Sequence, residues 1–275
     1  MSSASGTTAA PWRPLFNTHI SKMESPEFIF TSLEPAKDKN AVIPCVPRAR
    51  TCVYRGMWAE LPENKHQEAP MNERVYSSDS LTLTTDVRMN KIPQIVESVP
   101  GHEEVSGSGG GGPVEAVFWV KDVSTQWRFR GRAYIVGPDI EDDSISGVKL
   151  VKQEIGERMK VVKEEGKESW SWSTEFTAHF GNLSPGMRGS FKNPPPGTSV
   201  SVPPEEGLAL GQKVNDLHDE IARKNFRVVI IKPDEVEQLD LTDPEKGRRW
   251  KFTYVGSDEQ KDVDLGEWKK EELWP

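Results

Sequence analysis

Cysteine is scarce in this sequence. Two of its 275 residues are cysteines, and five scattered histidines are the other common metal ligands. Cys45 and Cys52 lie in or next to one apolar segment, where a cysteine behaves as a small hydrophobic residue more often than as a disulfide or a metal ligand. No pair has CxxC spacing. The sequence therefore argues against a disulfide-stabilised secreted domain and against a zinc site.

Long apolar runs and an excess of positive charge are missing as well. No window approaches the ~18 consecutive apolar residues of a membrane-spanning helix, and the first residues lack the apolar core of a signal peptide. The formal net charge of -8 argues against general nucleic-acid binding, which needs a basic face. We therefore expect a soluble, cytoplasmic protein with no membrane and no nucleic-acid partner.

Hydrophobic residues are few and charged residues many, at 35% and 28% of the chain. The core must therefore be concentrated in a few segments, which predict about seven strands with helices between them. Short connections favour antiparallel pairing, and hence a small barrel with helices packed outside. We expect residues 1–10 to be disordered and 11–275 to form a single domain. Loop insertions are predicted near 59–80, 101–113 and 140–169, and the run VSGSGGGGP in the second is typical of a flexible linker.

The segment LTLTTDVRMNKIPQI, residues 81–95, combines a threonine-lined strand with a basic turn and the start of a helix. Asp86 can cap the helix that comes after it, and Pro93 fits the first turn of that helix. Arg88 and Lys91 lie three residues apart beside the helix start, which predicts a phosphate site. The alternative is a solvated turn carrying two surface cations, which is common on protein surfaces.

Four short motifs follow one another along the chain. They read PRARTCVYR, TTDVRMNK, TQWRFRG and, at the C-terminus, W-K-x-x-x-L-x-P. Together they resemble the motifs of the pyridoxamine 5'-phosphate oxidase family, and the resemblance spans residues 12 to 275. It implies the α+β, mainly β fold of that family, the FMN-binding split β-barrel, a Greek-key-like antiparallel barrel with peripheral helices.

The resemblance also implies where FMN would bind. Arg50 stands where the family grips the FMN phosphate, and Lys91 stands at the closing lysine of the second motif. Asn90 replaces the family's arginine, and Arg88 supplies a cation two positions earlier. Gln126 matches the glutamine that reaches the flavin from the partner subunit. The implied cofactor-binding residues are Arg50, Thr51, Cys52, Val53, Thr84, Thr85, Arg88, Asn90, Lys91, Gln126 and Lys251.

The substrate side departs from the family pattern. Phe176 and Phe180 stand where the family has the tyrosine and arginine of its substrate-phosphate cluster, and Leu239 stands for a tryptophan beside the flavin. No Ser/His/Asp or Cys/His arrangement is present that would name a catalytic residue. The candidate substrate-binding residues are Arg55, Ser184, Arg188 and Arg249.

These features predict an FMN-dependent oxidoreductase that acts on a small anionic substrate. Pyridoxamine or pyridoxine 5'-phosphate is one candidate, and the resemblance implies a homodimer with FMN at its interface. An alternative is a non-catalytic or sensory FMN-binding dimer. A third interpretation, a β-rich scaffold with no cofactor, predicts a colourless protein. No metal is expected.

Overall fold

The computed structural model describes residues 9–38, 41–98, 107–256 and 267–275, which form ten strands and six α-helices. The strands are β1 (Glu27–Pro35), β2 (Cys45–Val53), β3 (Tyr76–Ser78), β4 (Leu81–Asp86), β5 (Gly109–Val120), β6 (Thr125–Val136), β7 (Met159–Val161), β8 (Phe226–Asp240), β9 (Arg248–Tyr254) and β10 (Trp268–Leu273). The helices are α1 (Arg13–Ile20), α2 (Lys91–Glu97), α3 (Ser146–Gly156), α4 (Trp172–Gly181), α5 (Pro185–Gly189) and α6 (Glu220–Asn225).

Eight of these strands form one antiparallel sheet in the order β10-β9-β8-β6-β5-β1-β2, and β4 pairs with β8 as well. The sheet divides along β8. Its first part, residues 226–231, pairs with β4, and its last part, residues 235–240, pairs with β9, while β6 runs along the opposite edge. The described strands therefore form a mainly β split barrel with peripheral helices, which confirms the predicted fold class.

The barrel interior is filled by aromatic side chains, among them Phe16 of α1 and Trp12, the residue just before α1. Trp12 and Phe16 are fully buried. The Phe16 ring makes edge contacts with Phe118 and Phe129, at centroid distances of 5.2 and 4.9 Å. Edge-to-face packing of this kind adds to the stabilisation from apolar burial. The segment from Trp12 to Phe16 thus closes the barrel core.

A second core lies outside the barrel, where α3 and α4 cover the first part of β8. Val148, Val151 and Ile155 of α3 are fully buried in it. Their helical spacing places them on one face of α3, within the loop insertion predicted near 140–169. Its apolar face is needed to cover β6 and β8.

The predicted loop at 59–80 is largely irregular and ends in β3. Side chains fix it to α4, since Gln67 Nε2 donates to the carbonyl of Ala178 at 3.1 Å and Asn64 Nδ2 donates to that of Asn182 at 2.9 Å. The predicted disorder of residues 1–10 lies mainly outside the described residues. None of the described helices is both long and apolar enough to cross a membrane.

The glycine-rich run is not the flexible linker that its composition predicts. Residues 101–106 lie outside the described part of the chain, but residues 109–112 begin β5 and are buried. A Cβ at Gly112 would lie 2.2 Å from Ser98 Oγ and 2.5 Å from the Ile95 carbonyl oxygen. Glycine is therefore required because α2 packs directly on this strand.

Replacing Gly112 with alanine should lower the free energy of unfolding by about 1–3 kcal/mol, the usual effect of overpacking a close contact. Gly156, at the end of α3, is a matched control, because a Cβ there meets no described atom within 4 Å beyond its own neighbours. Gly156→Ala should be neutral or stabilising by about 0.5–1 kcal/mol, since alanine favours helix. Chemical denaturation of both variants measures the difference. Equal effects would contradict close packing at Gly112.

Candidate functional site

Two adjoining cavities lie between the β1–β2 hairpin, α2 and the segment after α5. We call the first, of about 480 Å³, the polar cavity; its lining residues are Glu34, Arg48, Ala49, Arg50, Met89, Asn90, Lys91, Gln94, Pro196 and Gly197. We call the second, of about 500 Å³, the apolar cavity; its lining residues are Thr51, Cys52, Val53, Arg55, Thr84, Thr85, Asp86, Met89, Lys91, Leu183, Met187, Ser190, Phe191, Asn193, Pro194, Pro196 and Leu210. Lys91 lines both cavities, so it marks their junction.

Arg50 is held in place from the inner face of β2. Its Nη1 donates to Ser32 Oγ at 2.6 Å, and its Nη2 donates to Gln94 Oε1 at 2.5 Å. The guanidinium also lies 5.7 Å from the centroid of the Phe30 ring. Burial, the largest cause, lowers the pKa of Arg50. These contacts fix the position of the charge without neutralising it.

Lys91 is the second cation of the site and is almost fully buried. Its Nζ donates to Thr85 Oγ1 at 2.9 Å. Burial lowers the pKa of Lys91, and the neighbouring Arg50 guanidinium lowers it further, against an opposing effect of Cys52. The two cations are therefore close enough to repel each other.

Within the described residues, neither Arg50 nor Lys91 forms an ion pair with a carboxylate, although such pairs are numerous elsewhere in the structure. Two uncompensated, partly desolvated positive charges favour an anion between them. Their neighbours Thr85 and Ser32 add hydroxyl groups. This arrangement can hold a dianionic group such as a phosphate monoester.

Arg88, the predicted third cation, lines neither cavity. Its Nε and Nη2 donate to the two carboxylate oxygens of Asp86, at 2.9 and 2.6 Å, and Nη2 also donates to the carbonyl of Phe191. Asp86 does not cap α2 as predicted; it accepts from the backbone N–H of Arg88 instead. Since α2 has seven residues, side chains rather than the helix end form the anion site.

The other residues predicted around the first two motifs are brought together. Asn90 lines the polar cavity, and five more line the apolar cavity: Thr51, Cys52, Val53, Thr84 and Thr85. Burial raises the pKa of the Cys52 thiol, against the lowering effects of Lys91 and Arg50. Cys52 is therefore a neutral thiol at the wall of the apolar cavity.

Gln126, Arg249 and Lys251 lie away from both cavities of the single chain. They occupy the outer face of the sheet, where Arg249 forms an ion pair with Glu237 and Lys251 lies 3.5 Å from a Glu271 carboxylate oxygen. Gln126 is directly opposite Leu239 on β8, which in turn is opposite Arg249. The contact of Gln126 with a partner subunit's flavin, the contact of Lys251 with the flavin and the contact of Arg249 with a substrate all stay predictions.

Of the predicted substrate residues, Arg55 lines the apolar cavity, and the other three appear in the lining of neither cavity described above. Ser184 caps α5, accepting from the backbone N–H of Met187. Arg188 is fully buried, and its Nη2 donates to Glu68 at 2.8 Å. Phe176 and Phe180 are core residues packed on Phe226. Neither Ser184 nor Arg188 lines the polar or the apolar cavity, and their predicted contacts with a substrate stay a prediction.

Sequence reasoning missed two parts of the site. Gln94, which orients Arg50, lies three residues after Lys91 on α2, and that helical spacing was the available signal. The segment 193–197, with Leu210, walls both cavities but carries no local motif beyond its prolines. Its position depends on tertiary contacts that no spacing rule gives.

Known proteins related to pyridoxamine 5'-phosphate oxidase are similar to this chain in sequence and in fold. A family model described as "Pyridoxamine 5'-phosphate oxidase, FMN-binding domain" matches residues 9–137, which include both cavity-lining motifs. The comparison with curated proteins gave no match.

Among solved structures, a pyridoxamine 5'-phosphate oxidase-related, FMN binding protein from Nostoc punctiforme PCC 73102 is similar over 98% of this chain and 100% of its own, with 17% identity and a TM-score of 0.56. PhzG from Burkholderia lata 383, solved in complex with tetrahydrophenazine-1-carboxylic acid, matches over 96% of this chain and 89% of its own, with 11% identity and a TM-score of 0.45. The first likeness supports the fold alone.

The fold is thus that of the split-barrel proteins related to pyridoxamine 5'-phosphate oxidase. Residues 9–137 are similar to the FMN-binding domain family of pyridoxamine 5'-phosphate oxidase.

Proposed function

We propose that this protein binds FMN, with the FMN phosphate between Arg50 and Lys91. The observation that carries the proposal is a half-buried Arg50 and a buried Lys91 at the junction of the two cavities, neither of them paired with a carboxylate of the described residues. A phosphate dianion matches two such charges, and Thr85 and Asn90 offer further hydrogen bonds. Arg50 and Lys91 would hold the phosphate in the polar cavity, and residues 51–53 would line the ring side. The residues present fit this cofactor.

We propose further that two chains form a homodimer through the outer face of the sheet. Ile29 and Trp119 on that face are 42% and 48% exposed. Thr51 is opposite Ile29, and Trp119 is opposite Gln126, so the cavity-lining strand and Gln126 share one face. A second copy on this face would cover the apolar side chains and bring its own Gln126 and Lys251 towards the cofactor.

The proposed reaction is FMN-dependent oxidation or reduction of a small anionic substrate in the cytoplasm. Bound FMN supplies the hydride or electron transfer itself. The chain's own part is to position the substrate, and Arg55 is suited to hold an anionic group because it lines the apolar cavity.

A second candidate function is a non-catalytic or sensory FMN-binding dimer. It is favoured by the burial of Phe176 and Phe180 in the second core and by the capping role of Ser184, which leave the expected substrate-phosphate cluster unformed. Turnover distinguishes the two functions. An FMN-loaded protein that exchanges electrons with no tested donor would favour the second.

Cysteine labelling tests FMN binding at this site, because the chain carries its own control. Cys52 lines the apolar cavity, whereas Cys45 begins the same strand and lines neither cavity. At free FMN of about ten times its Kd, alkylation of Cys52 by N-ethylmaleimide at mildly alkaline pH should slow about tenfold. Alkylation of Cys45 should be unchanged. Mass spectrometry of the two peptides reads the rates, and unchanged labelling of Cys52 in an FMN-bound protein would contradict the site.

A further inference from the structure

The apolar cavity has an unusual charge balance. Arg55 lines it, and within the described part of the chain its side chain donates no hydrogen bond and forms no ion pair; its Nε is fully buried without a partner. Burial lowers the pKa of Arg55, yet a guanidinium stays protonated in proteins. An uncompensated positive charge therefore faces this cavity.

The neighbouring cations are already neutralised. Arg88 is paired with Asp86, Arg188 with Glu68, and Lys192 with Asp219 at 2.7 Å. Lys91 also borders the cavity but belongs to the phosphate site proposed above. Asp86 lines the cavity too, but its carboxylate is the one paired with Arg88. The remaining polar lining groups are uncharged: Thr51, Thr84, Thr85, Ser190, Asn193 and the Cys52 thiol. On the ligand side of the apolar cavity, the described residues thus present a net charge of about one, which matches a monoanion better than a dianion.

The rest of the wall is apolar. Leu183 and Phe191 are buried beside it, while Met187 and Leu210 are 42% and 78% exposed at its edge. Exposed large apolar side chains around a concave surface favour an apolar ligand that covers them. The ligand should therefore combine an apolar body with one negative charge.

We propose that the apolar cavity binds an aromatic monocarboxylate, with its carboxylate on Arg55, in preference to a phosphate ester. A guanidinium edge pairs with a planar carboxylate through two parallel hydrogen bonds, and one such pair satisfies both charges. An aromatic ring supplies flat apolar surface for Phe191 and for the flavin. The proposal rests on the proposed function, because the flavin forms part of the same site.

Three ligands that share one ring and differ in charge test this. FMN-loaded protein is titrated with 1-naphthoate, 1-naphthalenemethanol and 1-naphthyl phosphate, and the change in flavin absorbance gives each Kd. The naphthoate should bind about tenfold more tightly than either of the others, the usual effect of one charged hydrogen-bonded pair. Arg55→Gln should remove this preference. Arg74→Gln, an exposed arginine that lines neither cavity, should keep it.

The outcomes separate the two proposals. If the wild-type protein takes up FMN but binds the phosphate ester or the alcohol as tightly as the carboxylate, the monocarboxylate assignment is wrong and FMN binding stands. The same holds if Arg55→Gln keeps the preference. If FMN is not taken up at all, the proposed function fails and the assignment fails with it.

Discussion

Replacing Arg50 with glutamine and Lys91 with methionine should weaken FMN binding by about 10- to 100-fold for each variant. The expected size corresponds to the ~1.5–3 kcal/mol of a hydrogen bond to a charged group. Both side chains hold fixed positions through neutral partners, Ser32 and Gln94 for Arg50 and Thr85 for Lys91. Removing either cation leaves no unpaired carboxylate, so the apoprotein should stay folded. Quenching of flavin fluorescence on titration measures each Kd.

Two controls make this result specific to the phosphate. Riboflavin lacks the phosphate, so its weaker binding should change little in either variant. Arg88→Gln removes a cation of the same segment whose charge is already paired with Asp86. It should leave FMN affinity near that of the wild type while lowering stability, because the nearly buried Asp86 loses its partner. An Arg88→Gln loss of affinity as large as that of Arg50→Gln would contradict a phosphate site between Arg50 and Lys91.

The cation pair was largely predictable from sequence, and the third cation was not. Alternation in residues 81–85 and Pro93 near a helix start gave the strand and the helix that place Thr85 and Lys91. For Arg88, sequence spacing could not show that Asp86, two residues earlier, would pair with it in preference to the cavity. Whether Arg88 pairs with Asp86 or faces the cavity depends on side-chain geometry, and residue spacing in the sequence carries no information about that geometry.

Glycine and proline misled the sequence interpretation where tertiary packing changed their roles. Gly112 lies in strand β5, and this strand position holds a glycine because Ile95 and Ser98 of the α2 segment approach its backbone closely. A proline is typical of a turn, but β8 continues through Pro233, and the ladder with β6 shifts register there opposite Gly131. A bulge absorbs the missing N–H of a proline inside a sheet. In both cases the residue type is typical of a loop or turn, yet the residue lies inside a strand, β5 for Gly112 and β8 for Pro233.

His179 and Glu175 form a buried pair on α4 that should control how the stability of the protein depends on pH. His179 stacks on Trp58 with ring centroids 5.7 Å apart, and its Nε2 lies 3.9 Å from Glu175 Oε1. Neither ring nitrogen has a hydrogen-bond partner within the described residues. Burial lowers the pKa of His179 to about 3, and the charge of Arg55 adds to the effect. Burial raises the pKa of Glu175, against hydrogen bonds from Asn72 and the Ala59 backbone.

These shifts act on stability in opposite directions. The unfolded state protonates His179 near its ordinary pKa of about 6.5 and the folded state does not, so this residue makes the protein less stable as pH falls through that value. Glu175 has a raised folded pKa, so its contribution is fully present below the ordinary pKa and is lost as pH rises through the folded one. Above the ordinary glutamate pKa of about 4.5, and up to the raised folded pKa of Glu175, the two contributions to the slope of stability against pH, each at most about 1.4 kcal/mol per pH unit, therefore oppose each other.

Single substitutions should expose the two slopes separately. In Glu175→Gln the opposing carboxyl is gone, so the free energy of unfolding should fall more steeply between neutral pH and pH ~4.5 than in the wild type. His179→Leu removes the contribution of the histidine to the pH dependence. The free energy of unfolding should then fall less than in the wild type between neutral pH and pH ~4.5, or rise. Urea denaturation across the pH series gives the slopes. Gly156→Ala, which changes no titratable group, supplies the reference and should run parallel to the wild type. If Glu175→Gln and His179→Leu both kept the wild-type dependence of stability on pH, as the Gly156→Ala reference should, the pKa values of this pair would not be shifted by burial.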